Sequence, residues 1–271
     1  MNRLSLTTKL LLSGGAALVV LCLLLPGSPL FGERQASSQL TLYSAASTRK
    51  PMEQIVEMYR TECGVSVQTQ YGGSNTLLSQ LEIARQGDLY LAADASYVAF
   101  ATEKGLVEQV VPLARMTPVV AVPKGNPLGI RSFDDLLEHR VALANPDQAA
   151  IGRVTREVLE AAGKWKTLDG QIRNHGVYKP TVNDTAMDAS LGSVDAAIVW
   201  DSVARQYDNL EIVRLDELSA GEGLIAVGVL KFSKDPAAAR HFARYLAASD
   251  RGLAVFAREG YAVVEGEAWG E

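Results

Sequence analysis

Two strand–turn–helix units follow one another near the start of the globular part of this sequence. In the first, an apolar run at residues 40–43 leads to Ser47 and then to an amphipathic segment. In the second, a run at residues 65–70 leads to Ser74 and another amphipathic segment. Strands that alternate with helices form parallel sheets whose faces are covered by the helices. This alternation predicts an α/β protein.

Both serines lie among small residues at the predicted start of a helix, in Ala-Ala-Ser47 and Gly-Gly-Ser74. The N-terminus of a helix has unpaired backbone N–H groups and a partial positive charge, so it attracts anions. Small residues allow a ligand to approach this backbone closely. A single serine is an ordinary helix cap, but two such turns close together indicate one anion held between two helix ends.

The alternation continues to residue 91 and then starts again beyond residue 117. Met52, Ile55, Val56 and Tyr59 have the spacing of one helix face, which predicts a helix over 51–62. The segments predicted as helices are 51–62, 76–85, 133–137, 151–162, 185–191, 235–248 and 250–259, and those predicted as strands are 40–43, 65–70, 89–91, 117–123, 141–144, 196–200 and 223–230.

The long apolar strands at 117–123 and 223–230 are candidates for two crossings between lobes. We therefore expect two α/β lobes with a cleft at the crossover. Residues 39–116 and 231–271 are predicted to form lobe I, and residues 117–230 to form lobe II. In lobe II, the turns before the helices at 151 and 185 offer further backbone donors that would face the serine turns.

Residues 1–38 are predicted to be a signal peptide or an N-terminal membrane anchor followed by a linker. Arg3 and Lys9 precede an apolar run at residues 10–25, and prolines and glycine follow it. This order is typical of a secretory signal, which predicts an exported protein that is either released or tethered to the membrane.

The charge and the distribution of reactive residues exclude several classes of function. The formal net charge is −5, and the sequence has no basic tract, so nucleic acid is not expected as a partner. An anion site in such a protein would use local dipoles rather than net charge. The three histidines, His139, His175 and His241, are far apart and do not have metal-ligand spacing.

The order of these segments resembles the periplasmic molybdate-binding proteins of ABC importers from residue 40 to about residue 264. The resemblance is carried by the turns at 45–47 and 74–77, the segments 87–94 and 145–147, and the strand at 195–200. It implies a type II periplasmic-binding-protein fold with two lobes and two hinge crossings. It also implies a monomeric, extracytoplasmic receptor that has no cofactor and no enzymatic activity. Such a receptor delivers molybdate or tungstate to the permease of an ABC importer.

Carried over by position, the resemblance assigns the oxoanion contacts. Ser47 and Ser74 would donate hydroxyl and backbone N–H groups, and Ile151 and Val182 would donate backbone N–H groups, so that the metal atom of molybdate is held through its oxygens alone. Trp200 stands where the family often has a tyrosine, and it is either a fifth donor through its indole N–H or a core residue. Secondary candidates are Ala46, Asn75, Ala150, Asn183 and Arg49, the last of which could instead be a solvated residue at the start of a helix.

Three alternatives remain open at the level of the sequence. The chain could bind another anion, such as sulfate or phosphate, or it could be a membrane-anchored sensor built on the same pair of lobes. It could also be an enzyme on the same fold. Against an enzyme, the Ser74 turn lacks the G-x-S-x-G motif of a nucleophile elbow, and no histidine follows either serine closely enough in sequence to suggest a base.

Overall fold

The computed structural model of the protein describes residues 39–270. The predicted export signal or anchor lies outside the described residues. The described part contains two sheets with helices packed on both. The first sheet has six strands in the order β11-β4-β10-β3-β1-β2. Its strands are β1 (Gln39–Ala45), β2 (Ser66–Gly72), β3 (Leu89–Ala92), β4 (Val107–Met116), β10 (Gly223–Leu230) and β11 (Ala262–Val263).

The second sheet has five strands in the order β7-β6-β8-β5-β9. They are β5 (Pro118–Pro123), β6 (Val141–Ala144), β7 (Val177–Lys179), β8 (Ala196–Trp200) and β9 (Leu210–Val213). In both sheets, strands that alternate with helices pair in parallel, as in β3-β1-β2 and β7-β6-β8. The strands that lie near the crossings pair antiparallel.

The helices divide between the two sheets. The first lobe, defined here as the first sheet and its helices, contains α1 (Arg49–Cys63), α2 (Ser74–Ala84), α3 (Ala95–Glu103), α9 (Pro236–Ala247) and α10 (Gly252–Arg258). The second lobe contains α4 (Phe133–Leu137), α5 (Ala150–Ala161), α6 (Trp165–His175), α7 (Val182–Ser190) and α8 (Asp201–Ala204). The two-lobed α/β fold predicted from the sequence is therefore the observed one.

The strand β10 corrects one predicted boundary. The sequence analysis assigned residues 223–230 to the second lobe, but β10 pairs with β3 and β4 in the first sheet. The chain thus returns to the first lobe before Gly223 and not after Leu230. The physical reason is that β10 fills the position between β3 and β4, where its apolar side chains are buried.

The first crossing lies between β4 and β5 and is fixed by a polar contact. The N–H of Thr117 donates to the carboxylate of Asp201 at 3.1 Å, and the N–H of Asp201 donates to the carbonyl of Thr117 at 2.9 Å. Arg115 and Glu222 form an ion pair that joins the two crossing segments. The bonds of Asp201 hold the start of α8 beside the first crossing, and the ion pair holds the two crossing segments together.

Asp88 stabilises the first lobe. It lies just before β3, at the end of the sheet opposite the carboxyl ends of β1 and β3. Its side chain is 6% exposed. One carboxylate oxygen accepts the N–H of Thr41 at 2.8 Å, and the other accepts the hydroxyl of Ser233 at 2.5 Å. A buried carboxylate is tolerated only when it is hydrogen-bonded in this way, so Asp88 has a structural role.

We expect Asp88→Ala to lower the free energy of unfolding by about 3 kcal/mol, because hydrogen bonds to a buried charged group are lost and their partners remain unpaired. Urea denaturation of the purified protein measures this change. Asp208→Ala is the control, since Asp208 is exposed and its side chain forms no hydrogen bond with other described residues. Equal stabilities of the two variants would contradict the role assigned to Asp88.

Candidate functional site

A small pocket lies between the lobes, where the carboxyl ends of strands from both sheets meet. The empty space within its lining is about 220 Å³, part of which is open to solvent. No lining side chain is ionisable. The lining residues are Ala45, Ala46, Ser47, Gly72, Gly73, Ser74, Ala93, Ala149, Ala150, Ile151, Thr181, Val182 and Trp200.

Four helical segments point their N-termini at this pocket. They are the 3₁₀ turn Ala46–Thr48 that leads into α1, and the helices α2, α5 and α7. In the 3₁₀ turn, α2 and α5 the residue at the N-cap position makes no side-chain hydrogen bond to the helix. Such a cap ordinarily satisfies one of the free N–H groups. The missing caps leave these N–H groups available to a ligand.

The free N–H groups include those of the residues predicted from the sequence. The backbone N–H groups of Ser74, Ile151 and Val182 donate to no other residue in the described part of the chain. Thr181 caps α7, but its hydroxyl accepts from Asp184 at 3.2 Å and leaves the first N–H of that helix free. The partial positive charge of each helix end adds to these donors.

The two serine hydroxyls contribute donors from the first lobe. Ser47 is 2% exposed, and its hydroxyl has no hydrogen-bond partner among the described residues. The hydroxyl of Ser74 accepts the N–H of Ala93 at 3.2 Å. Because a serine hydroxyl has one proton and two lone pairs, the proton of Ser74 remains free to be donated into the pocket. Both side chains are therefore suited to an acceptor-rich ligand.

The structure brings together all five of the primary residues predicted from the sequence. Ser47, Ser74, Ile151, Val182 and Trp200 line the same pocket. Trp200 is 1% exposed, so it belongs to the core and to the pocket wall at once. The contact that each of these residues would make with a ligand remains a prediction.

The secondary candidates divide into two groups. Ala46 and Ala150 line the pocket, whereas Asn75, Asn183 and Arg49 are not among its lining residues. The Arg49 side chain lies over the ring of Tyr71, with 4.2 Å from its guanidinium carbon to the ring centre. Burial raises the pKa of Tyr71 to about 12, so the ring beneath the guanidinium stays neutral. Arg49 is thus a residue at the start of a helix that faces solvent and Tyr71.

The turn before α5 contacts the first lobe directly. The carbonyl of Gln148 accepts the backbone N–H groups of Asn75 at 3.1 Å and of Thr76 at 3.4 Å. The side-chain amide of Asn75 donates to the carbonyl of Asp147 at 2.9 Å. These bonds cross from one lobe to the other, so the described conformation is closed. They satisfy two of the free N–H groups of α2 and leave that of Ser74 to the pocket.

Arg153 of α5 forms a second bridge between the lobes. Its guanidinium lies 3.1 Å from the carboxylate of Asp94 and 4.8 Å from the centre of the Tyr97 ring, and it donates to the hydroxyl of Ser96. The side chain of Arg153 is 17% exposed. Neither this residue nor Gln148 is predicted from the sequence, because a charged residue on an amphipathic helix and a glutamine in a turn carry no signal of their tertiary partners.

Residues 39–270 show neither a cluster of metal ligands nor a helix suited to span a membrane. No group of three histidine, cysteine, aspartate or glutamate side chains in this part of the chain is arranged to hold a metal ion. No helix in this same stretch has both the length and the apolar character that crossing a membrane requires.

Comparisons with known proteins agree with this architecture. Residues 40–262 match the model of the family described as bacterial extracellular solute-binding protein. The molybdate-binding protein ModA of Mycobacterium bovis is 28% identical over 243 residues, which cover 88% of this chain and 89% of that protein.

Solved structures show the same fold at lower identity. The periplasmic molybdate-binding protein of Azotobacter vinelandii has a TM-score of 0.71 at 17% identity, covering 83% of this chain and 100% of that one. The sulfate-binding protein SubI of Mycobacterium tuberculosis has a TM-score of 0.72 at 17% identity, covering 84% and 88%. The family match spans most of the sequence, and the chain belongs to the bacterial extracellular solute-binding proteins.

We expect Gly152→Ala to lower the free energy of unfolding by about 2 kcal/mol through overpacking. A Cβ at this position would lie 2.1 Å from the carbonyl oxygen of Ala144, so α5 would have to move away from the end of β6. Thermal or urea unfolding measures the change. Gly170→Ala, on α6 with open space around its Cβ, is the control and should be neutral or slightly stabilising. A stable Gly152→Ala variant would show that α5 is not held tightly at the pocket.

Proposed function

We propose that this solute-binding protein captures molybdate, or the similar tungstate, in the pocket between its lobes and delivers it to an ABC importer. The observation that carries the proposal is a buried pocket lined by free N–H and hydroxyl donors from four helical segments, with no ionisable side chain. A donor-only pocket suits a ligand that has only acceptors, such as a fully deprotonated oxoanion. The curated relative named as molybdate-binding supports the choice of metal oxoanion.

The proposed contacts follow from the free donors. Ser47 and Ser74 would each bind through a hydroxyl and a backbone N–H, while Ile151 and Val182 would bind through backbone N–H groups from the opposite lobe. Trp200 would close the remaining side and could add its indole N–H. A buried dianion without a countercharge is costly unless its oxygens are hydrogen-bonded, and this set provides donors from several directions.

The same donors give a physical basis for selectivity. A protonated oxoanion carries an O–H that would face another donor in this pocket, and a buried donor left unpaired costs about 1–3 kcal/mol. Hydrogen phosphate would therefore be rejected, whereas sulfate and molybdate differ only in size. A sulfate-binding protein has the same fold, so sulfate is the second candidate, and ligand size would decide between them.

Capture and delivery would be coupled through closure of the lobes. A ligand that binds donors of both lobes binds the closed form better than the open form and so shifts the equilibrium toward it. The contacts of Gln148 and Arg153 across the cleft would further stabilise the closed form. We further propose an extracytoplasmic location, reached through an export signal at residues 1–38, and recognition of the closed monomer by the permease. The pocket lining supplies no acid or base for catalysis.

Isothermal titration with molybdate, tungstate, sulfate and phosphate tests the ligand. We expect dissociation constants far below the millimolar range for molybdate and tungstate, and much weaker binding of phosphate. Ser47→Ala combined with Ser74→Ala should abolish binding and lower the thermal midpoint without ligand only modestly, because neither hydroxyl caps a helix and only the Ser74 hydroxyl is hydrogen-bonded, to the N–H of Ala93.

Thr155→Val is the matched control for the serine variant. The hydroxyl of Thr155 is also buried without a partner among the described residues, but it does not line the pocket. This control should bind as the wild type does. Millimolar or weaker binding of every anion by the wild type would refute the proposal, and loss of folding in the double variant would show that the serines are structural.

Closure itself is tested by Gly73→Ala. Gly73 has an ordinary φ of −67°, so alanine fits the backbone, but its Cβ would lie 2.4 Å from the carbonyl oxygen of Gln148 across the cleft. We expect the variant to remain open at a saturating anion concentration, which small-angle scattering measures as an unchanged radius of gyration. Gly72→Ala, whose Cβ meets only Leu77 of the same lobe, should still close. Normal compaction of Gly73→Ala would contradict this route to closure.

A further inference from the structure

Two buried tyrosine hydroxyls donate to the backbone carbonyls of the two pocket serines. The hydroxyl of Tyr90 donates to the carbonyl of Ser74 at 2.7 Å. The hydroxyl of Tyr261 donates to the carbonyl of Ser47. Tyr90 lies on β3 and Tyr261 just before β11, and their side chains are 0% and 4% exposed. Neither tyrosine lines the pocket, so each contacts its serine from the side of the core.

The bond to Ser47 replaces a donor that the sequence cannot supply. In an α-helix the carbonyl of residue i accepts the N–H of residue i+4. The residue four positions after Ser47 is Pro51, which has no N–H. The Ser47 carbonyl is buried at the start of α1, and Tyr261 provides its donor from a segment 214 positions away. A buried carbonyl without any partner would be costly.

Both bonds also decide which polar groups face the pocket. A serine at the pocket wall carries a hydroxyl, an N–H and a carbonyl, and only the carbonyl would repel an anion. Because the peptide unit is planar, a hydrogen bond that holds the carbonyl toward the core fixes the whole unit after each serine. For Ser74 this unit includes the N–H of Asn75, which donates to Gln148 across the cleft. Both serine carbonyl oxygens are thus hydrogen-bonded on the core side of the pocket wall.

The tyrosines remain donors at all ordinary pH values. Burial raises the pKa of Tyr90 well above its usual value, and burial raises the pKa of Tyr261 in the same direction. The hydroxyl of Tyr261 also accepts the side-chain amide of Gln206 at 3.3 Å, which leaves its own proton directed to Ser47.

We propose that Tyr90 and Tyr261 are positioning residues of the anion site, which hold the two serine peptides so that only donors face the ligand. This inference rests on the proposed function. It assigns a role in binding to residues that contact no ligand and that otherwise belong to the hydrophobic core.

The test compares Tyr90→Phe and Tyr261→Phe with two control variants from the same core. Tyr59→Phe also removes a hydrogen bond of a buried tyrosine, between the Tyr59 hydroxyl and Nδ1 of His241 at 2.7 Å, but away from the pocket. Tyr245→Phe removes a hydroxyl that is buried without a partner among the described residues. Each full-length variant is titrated with molybdate by calorimetry, and its thermal midpoint is measured without ligand.

We expect Tyr90→Phe and Tyr261→Phe each to raise the dissociation constant for molybdate about tenfold. This is the effect of losing roughly one well-oriented hydrogen bond to the anion. Tyr59→Phe should lower the thermal midpoint about as much as Tyr90→Phe and Tyr261→Phe do, but it should leave the dissociation constant unchanged. Tyr245→Phe should change neither the midpoint nor the dissociation constant. Unchanged affinity in both Tyr90→Phe and Tyr261→Phe, or an equal loss of affinity in Tyr59→Phe, would overturn the inference.

The wild-type titration separates this inference from the proposed function. If the wild type binds sulfate and not molybdate, the ligand assignment is wrong and the same variants are compared with sulfate. If the wild type binds none of the four anions, the proposed function fails and the inference fails with it. If the wild type binds and the variants bind equally well, only the inference fails.

Discussion

The pocket depends on backbone N–H groups that the fold leaves unpaired. A buried donor without a partner costs about 1–3 kcal/mol, and helix ends are normally capped to avoid that cost. Here the residues before the helices are mainly alanine and glycine, which offer no cap. The N–H groups of Ser74, Ile151 and Val182 find no acceptor among the described residues, so they carry a local destabilisation that a ligand would relieve. On the proposed function, this is how a chain of negative net charge would hold an anion without a cationic side chain.

Closure uses free donors of α2 that lie next to the Ser74 N–H proposed for the ligand. The carbonyl of Gln148 takes two N–H groups of α2, so the second lobe itself acts as a partial cap when the cleft is shut. The ion pair of Arg153 and Asp94 adds a charged contact beside it. Both side chains are largely buried, and the cost of removing two charges from water offsets much of their attraction, so these contacts favour closure without fixing it. A bound ligand would then be able to shift the equilibrium between the open and the closed form.

The sequence was sufficient for the local parts of this site and insufficient for its long-range parts. The helices and strands around the pocket can be predicted from the spacing of apolar residues. The serine turns can be predicted from the small residues at the starts of helices. The strand β4 was missed because Pro112 is unfavourable within a strand; its pairing with β10 shifts register at this point, where the strand tolerates proline. The contacts of Tyr90 and Tyr261 with the serines have no signal in the sequence, since their hydroxyl partners are 16 and 214 positions away.

Trp200 shows how the far wall of the pocket is set by strand packing. A Cβ at Gly223, on the strand that returns to the first lobe, would lie 2.7 Å from the indole and 2.7 Å from the carbonyl oxygen of Ala93. The indole therefore occupies space that only glycine leaves open. Because strands in a packed core move little, this wall is rigid, unlike a wall built from loops. On the proposed function, the distance between Trp200 and the two serines in the closed form would limit the radius of the oxoanion, and the donors would supply the affinity.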